Sequence, residues 1–196
     1  MIVADVETTG LDPQKHSIVS VGAIDFSNPR NQFYEECRIW EGAVIDPKAL
    51  EINGFKEHEL RDPSRKSLEK AVKEFFAWLE SIHDRTLAGE NPFFDNAFLA
   101  ASAEMLGIKS KLGHRIVDLH SLCYSHHLKR GIPVPTANGR TDINLDKILA
   151  YVGLPKEPKP HRAINGARME AEAFSRLIYG KCLLEEFRQY AILDYL

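Results

Sequence analysis

The sequence predicts an α/β fold: a mixed five-stranded sheet that starts as an antiparallel meander, continues with parallel strands, and is flanked by helices. Segments rich in Val, Ile, Phe and Tyr crowd the first 40 residues, whereas helix-period segments separated by short strands follow. The 196 residues are 44% hydrophobic and 27% charged, which is ordinary for one globular domain. The only linker-like stretch, 155–160, is too short to separate domains, so we expect a single domain over residues 1–196.

The meander is predicted from three strands separated by short turn-forming stretches. The strands are expected at Ile2–Val6, Ile18–Asp25 and Gln32–Ile39, with turns at 9–13 and 27–29. Connections this short join antiparallel neighbours.

The remainder of the chain alternates helices with two short strands. In order, we expect a helix at Ser67–Ile82, a strand at Arg85–Gly89, a helix at Pro92–Leu106, a strand at Arg115–Leu119, and helices at His120–Arg130, from Asn144 to before Gly153, at Ala163–Tyr179 and at Leu183–Tyr195. Residues 131–141 show no clear pattern.

Charge and cysteine content constrain the partners and the compartment. Lys and Arg total 25 against 28 Asp and Glu, a net charge of −3, so a nucleic acid would have to be bound locally rather than by a global basic field. Cys37, Cys123 and Cys182 are too far apart for a zinc site or a disulfide framework. No secretion leader or membrane-spanning run is evident, so we expect a cytoplasmic protein without a membrane partner.

Asp5 and Glu7 follow an apolar strand, and the period of two places both carboxylates on one face. Like charges this close favour a hard divalent cation. Alternatively, they are two solvated acids at a strand end. The small residues that follow, Thr8, Thr9 and Gly10, would let a nucleotide approach the backbone.

Asp95 lies in the first turn of a predicted helix among apolar neighbours, where an acid is costly unless it is paired or bound to a metal. Compensation of the helix dipole is the alternative. The aromatic residues around it, Phe94 and Phe98 among them, are either core residues or surfaces on which a base could stack.

Three motifs in this order resemble the DEDD superfamily of exonucleases, in its histidine branch. Asp5 and Glu7 with the trailing Thr-Thr-Gly match the first motif, Asp95 matches the second, and His161 within 160–164 begins the third. The stretch 144–155 is similar to the lead-in to that third motif, so the resemblance runs essentially end to end. It implies a ribonuclease H-like fold.

The resemblance also implies a mechanism with two divalent cations, Mg²⁺ or Mn²⁺, about 4 Å apart. Asp5 would contact both ions, Glu7 the one carrying the attacking water and Asp95 the other, and neutral His161 would accept the water's proton. The substrate would be the 3′ end of single-stranded DNA or RNA, and the product a nucleoside 5′-monophosphate. The residues expected to contact the substrate are Thr8, Thr9, Gly10, Asn91, Phe94, Phe98 and Arg162. Arg162 belongs to a basic group with Lys156, Lys159 and Arg168 that is either a phosphate-binding rim or a solvated charged face.

The third motif of that family continues His-x-Ala-x-x-Asp-Ala, but this chain has Gly166 at the aspartate position. A missing ligand weakens metal binding. Glu170, one helical turn further on, could reach back to the vacant position, or could be an exposed acid paired with a base such as Arg168. The Asn165-Gly166 pair is also typical of a turn, which would start the helix later.

Two functional hypotheses follow. The first is a metal-dependent 3′→5′ exonuclease attenuated at Gly166, and the second is a catalytically impaired domain that binds nucleic acid or docks a partner. The sequence does not choose between DNA and RNA. The apolar C-terminal stretch 190–196 either covers a core or meets another chain, so a homodimer and a polymerase-type partner both stay open.

Overall fold

A computed structural model describes residues 1–196 and confirms the predicted mixed sheet. Its five strands lie in the order β3-β2-β1-β4-β5. They are β1 (Ile2–Thr8), β2 (Ile18–Asp25), β3 (Gln32–Glu36), β4 (Leu87–Gly89) and β5 (Ile116–Asp118). The first three pair antiparallel, and β4 and β5 continue parallel to β1. A separate hairpin of β6 (Thr136–Ala137) and β7 (Arg140–Thr141) lies in the stretch without a clear pattern.

Seven helices surround the sheet. They are α1 (Pro47–Asn53), α2 (Glu57–Leu60), α3 (Leu68–Trp78), α4 (Pro92–Met105), α5 (Leu119–Arg130), α6 (Leu145–Tyr151) and α7 (Ala163–Tyr179), with 3-10 turns at Leu79–Ser81 and Glu185–Phe187. None of them is long and apolar enough to cross a lipid bilayer.

Alternation along β1 divides the core between the two faces of the sheet. Ile2, Ala4 and Val6 pack with residues of α3 and α4, whereas Val3 packs with residues of α5, α6 and α7. Asp5 and Glu7 share the face of Val3, so they point towards the start of α7.

The helix predicted at Leu183–Tyr195 is wrong, because a buried arginine binds the backbone of this segment. Arg176 is fully buried and donates to the carbonyl groups of Phe187, Tyr190 and Ala191 at 3.0–3.1 Å. Carbonyls bound by a side chain are not available for a helix. The segment therefore forms one 3-10 turn, and its Tyr190 and Leu196 pack against the core.

Helices α1 and α2 were not predicted, although α1 carries recognisable signals. Asp46 accepts from the amide of Lys48 at 2.9 Å, Pro47 opens the helix, and Gly54 ends it in the left-handed region at φ 73°. Strand β3 also ends at Glu36, three residues before the predicted boundary at Ile39, and β1 extends to Thr8 rather than Val6.

Candidate active site

Asp5 and Glu7 lie at the centre of a group of acidic side chains. Burial raises the pKa of Asp5 to about 7, helped by the negative charge of Glu90. Burial, then the charges of Asp5 and Glu157, raise the pKa of Glu7 to about 8. Both side chains are partly buried, Asp5 lies against Gly166 of α7, and Glu7 lines a cavity. They are therefore held in a concave, partly desolvated site rather than at a solvated strand end.

Asp95 is joined to β1 by a hydrogen bond. Helix α4 turns in through Asn91, which is in the left-handed region, and Pro92, so that Asp95 lies in the first turn with only 5% of its surface exposed. The Val6 amide donates to Asp95 Oδ1 at 2.9 Å. Burial and the charge of Asp5 raise the pKa of Asp95 well above its usual value, so more than the helix dipole acts on this group.

His161 lies close to Glu7, in the loop before α7. Its amide donates to the Ile52 carbonyl at 3.1 Å, which ties the loop to α1. Burial and the charge of Lys159 lower the pKa of His161, which keeps the imidazole neutral near pH 7. The structure thus brings together the four residues predicted to carry the chemistry.

Glu157 is an acidic residue of this site that the sequence did not indicate. Its Oε2 lies 3.5 Å from His161 Nδ1, and the ligand atoms of Glu7, Glu157 and His161 lie within 4.8 Å of one another. Burial and the charge of Asp5 raise the pKa of Glu157 to about 7. An acid four residues before the histidine, in a Pro- and Lys-rich loop, carries no motif that distinguishes it from a solvated residue.

Gly166 faces the carboxylate of Asp5 from the first turns of α7. A β-carbon built at Gly166 would lie 2.3 Å from Asp5 Oδ2. The turn considered at Asn165-Gly166 is wrong, because α7 is continuous from Ala163. The helix fits this closely because Gly22 of β2 has no side chain: a β-carbon there would lie 2.2 Å from the carbonyl carbon of Ala163.

Glu170 is brought back to the site, and the alternative of an exposed acid paired with Arg168 is wrong. Only 4% of its surface is exposed, and Oε2 has no hydrogen-bond partner. Burial, then the charges of Asp5 and Asp95, raise the pKa of Glu170 well above its usual value. Arg168 instead donates to Gln32 Oε1 at 2.9 and 2.7 Å.

A cavity of about 350 Å³ opens beside Glu7. Three of the residues predicted to contact substrate line it, namely Thr8, Gly10 and Phe94, together with Lys48 and Asn53 of α1. It is large enough for the terminal nucleotide of a strand. Gly10 lines the cavity and also packs against His16, where a β-carbon would lie 2.2 Å from Cδ2.

Two predicted substrate contacts, Thr9 and Phe98, are wrong because both residues are buried. The Thr9 hydroxyl donates to the Val44 carbonyl at 2.7 Å and accepts from the Ser17 amide at 2.9 Å. Its own amide and carbonyl are bound to Ser17 and Asp46. Phe98 is 1% exposed in the core beneath α4. Neither residue presents a group to a ligand.

The two other predicted contacts lie at the edge of the site. Asn91 is exposed at the start of α4, and its backbone amide donates to Asp118 Oδ1 at 3.2 Å. Arg162 caps the start of α7, and its guanidinium lies 2.8 Å from Glu36 Oε1. Lys156 of the same basic group is paired with Asp146 at 2.9 Å. Part of the predicted phosphate-binding rim is therefore already neutralised by acids.

The sheet order and the acids gathered at one end of its central strand define the class of ribonuclease H-like nucleases. Within that class, the chain belongs to the exonuclease family, because the family model described as the RNase_T exonuclease matches residues 2–174. The family predicted from the motifs is thereby confirmed.

Curated relatives include a polymerase and a ribonuclease. The chain is 29% identical over 181 residues to the PolC-type DNA polymerase III of Thermotoga maritima, covering 90% of this chain and 12% of that protein. It is 27% identical over 128 residues to ribonuclease T of Haemophilus influenzae, covering 58% of this chain and 55% of the relative. The chain thus spans only part of the length of both.

Solved structures confirm the ribonuclease H-like fold. The nuclease domain of 3′hExo, described as a DEDDh family member bound to rAMP, aligns with a TM-score of 0.69 at 14% identity, covering 100% of this chain and 96% of that one. E. coli exonuclease I in complex with a dT13 oligonucleotide aligns with a TM-score of 0.69 at 17% identity, covering 89% of this chain and 40% of that one.

Proposed function

We propose that this protein is a metal-dependent 3′→5′ exonuclease that removes nucleoside 5′-monophosphates from the 3′ end of single-stranded nucleic acid, with residues 1–196 acting as one exonuclease domain. The observation that carries the proposal is the convergence of Asp5, Glu7, Asp95 and His161 in a chain of the exonuclease family. Such a group of acids has no stabilising use without a positive partner.

The site fits two divalent cations, Mg²⁺ or Mn²⁺. Glu170 Oε2 is buried without a hydrogen-bond partner beside Asp5 and Asp95, and no Lys or Arg is paired with any of these three carboxylates. Buried oxygens left without partners in this way are suited to hard cations. We assign Asp5, Glu7, Asp95 and Glu170 as residues that would hold the ions, with Glu170 offsetting part of the loss at Gly166.

The divalent cations would neutralise the phosphate and lower the pKa of the attacking water. His161 accepts the proton of that water, a role suited to an imidazole that is neutral near pH 7. Glu157 Oε2, 3.5 Å from His161 Nδ1, then stabilises the protonated ring. Asp95, bound to the Val6 amide, fixes the position of α4 against β1 during the reaction.

The cavity beside Glu7 is proposed to hold the terminal nucleotide. Phe94 offers an aromatic wall for the base, and Lys48 offers a positive charge for the backbone. Among the fold neighbours, E. coli exonuclease I is described with a DNA oligonucleotide and 3′hExo with rAMP, so both DNA and RNA are candidate substrates here. The similarity to a PolC-type polymerase makes a polymerase-type partner a candidate as well. The cytoplasm is the proposed compartment.

The second candidate function is a binding module without turnover, and Gly166 is the observation that favours it. The two are separated by incubating the protein with a 5′-labelled single strand and Mn²⁺. An exonuclease yields a ladder shortened from the 3′ end and free nucleoside 5′-monophosphates, and a strand with a blocked 3′ end is the control. A binding module retards the strand in a native gel and leaves its length unchanged.

A further inference from the structure

The strongest unassigned feature near the site is the carboxylate of Glu157. It lies in the loop between α6 and α7, among Pro and Lys residues, yet only 6% of its side chain is exposed. Its Oε1 has no hydrogen-bond partner. A buried carboxylate oxygen without a partner lowers the stability of the fold unless another group satisfies it.

The Lys and Arg side chains of the loop do not pair with this carboxylate, which interacts with the backbone amide of Arg162. Lys156, its neighbour in sequence, is paired with Asp146 at 2.9 Å. Arg162, at the start of α7, is paired with Glu36 at 2.8 Å. Glu157 instead turns inwards, where its carboxylate meets Glu7 and the imidazole of His161.

Glu7 and Glu157 form a pair of donors suited to a metal, with His161 beside them. The ligand atoms of the three side chains all lie within 4.8 Å of one another. Two carboxylates at this separation match the donor preference of Mg²⁺ and Mn²⁺, and the imidazole stays free to accept the proton of the attacking water. Glu170 does not belong to this set, because its carboxylate faces Asp5 and Asp95.

The resemblance to the histidine-branch exonucleases implies a fourth acid at position 166 of α7, where this chain has Gly166. We propose that Glu157 supplies the carboxylate that position 166 lacks, binding a divalent cation together with Glu7 and beside His161. The carboxylate ligand is then supplied by the loop before α7 rather than by α7 itself. This inference rests on the proposed function of the same site, because it concerns the ions that the site would use.

The test is a calorimetric titration of the whole protein with Mn²⁺, comparing the parent, Glu157→Gln and Glu51→Gln. Glu51 is an exposed acid of α1 and serves as the matched control. We expect Glu157→Gln to weaken Mn²⁺ binding by about 10- to 100-fold, or to lose one bound ion, while the control binds like the parent. Parent-like binding by Glu157→Gln would overturn the proposal.

Two further variants sharpen the result. Glu157→Asp keeps the charge but withdraws the carboxylate, so an intermediate affinity is expected even if the neutral variant folds poorly. Gly166→Asp in the Glu157→Gln background returns an acid to the helix, and Gly166→Ala in that background is its control because both carry the β-carbon that meets Asp5 Oδ2. We expect the variant with aspartate to bind Mn²⁺ more tightly than the variant with alanine. Equal binding by the two double variants would contradict the replacement.

A strand-degradation assay separates this inference from the proposed function. If the parent shortens a single strand and Glu157→Gln keeps full Mn²⁺ affinity, the inference fails and the exonuclease stands. If Glu157→Gln loses Mn²⁺ binding but the parent shortens no strand, the metal ligand stands and the exonuclease fails.

Discussion

Gly166 lies directly against Asp5, so that a β-carbon at position 166 would come within 2.3 Å of Asp5 Oδ2. The position from which the family's fourth acid would project is here in contact with the first acid of the site. The observed orientation of the Asp5 carboxylate therefore depends on position 166 of α7 having no side chain, as well as on strand β1.

Adding a single methyl group at this position tests that relationship. We expect Gly166→Ala to lower kcat by about 10-fold or more, because the β-carbon displaces the Asp5 carboxylate, while helix propensity alone would favour alanine. The readout is single-strand degradation together with the thermal unfolding midpoint. Asn165→Ala, the adjacent position in α7, is the control and should behave like the parent. Full activity in Gly166→Ala would show that Asp5 has freedom the structure does not suggest.

The acidic site predicts an unusual dependence of stability on pH. The folded-state pKa values of Asp5, Glu7 and Glu157 are raised to about 7, 8 and 7, from ordinary values of 3.8, 4.5 and 4.5. Between pH 4 and 8 the folded protein therefore holds protons that the unfolded chain has released. The free energy of unfolding must fall as pH rises through this range.

Thermal unfolding in EDTA at pH 5 and pH 8 measures this effect. We expect a lower midpoint at pH 8, and a smaller difference when Mn²⁺ is present, because a cation replaces the protons. Asp5→Asn with Glu7→Gln should flatten the EDTA profile. A midpoint that rises from pH 5 to pH 8 in EDTA would show that the acids are not desolvated together.

Phe94 is expected to contribute to binding of the terminal base. Its ring lines the cavity beside Glu7, so Phe94→Ala should raise KM by about 10-fold with a smaller change in kcat. Phe93→Ala is the matched control, because that side chain is 71% exposed and does not line the cavity. Equal KM values for the two variants would remove Phe94 from the substrate site.

Arg176 is expected to hold the C-terminal segment in its folded conformation and so to stabilise the protein. It is fully buried, pairs with Glu172 at 2.7 Å and donates to four backbone carbonyl groups. Arg176→Leu leaves those carbonyls and Glu172 Oε1 without a partner, so we expect the free energy of unfolding in urea to fall by about 3 kcal/mol or more. Arg188→Leu removes an exposed ion pair with Glu185 and should change it by less than about 1 kcal/mol.

The sheet and most helices could be predicted because local patterns specify them. The Val- and Ile-rich strands, the cap at Ser67 and the stop at Gly180 each act within a few residues. The C-terminal segment could not be predicted, since its conformation depends on Arg176, which belongs to a different element. When a distant side chain binds the backbone carbonyl groups of a segment, the segment's own sequence carries no periodic pattern that reveals it.

The same distinction applies to the site. Asp5, Glu7, Asp95 and His161 lie in ordered motifs, so their convergence could be expected from the sequence. Glu157 had no such motif, and Thr9 and Phe98 could be recognised as internal only from their packing. For Glu170 the sequence left two alternatives, and its burial together with the position of Arg168 beside Gln32 separates them.

The most direct test of the account is degradation of end-labelled single-stranded DNA and RNA by the parent and by Asp5→Asn, with Mg²⁺, Mn²⁺ or EDTA. The account predicts shortening from the 3′ end that requires a divalent cation and falls by about 100-fold or more in Asp5→Asn. Because Asp5→Asn removes a buried charge, it should remain folded. If the parent leaves both strands intact under every condition while still binding them, the account is contradicted and the domain is a binding module.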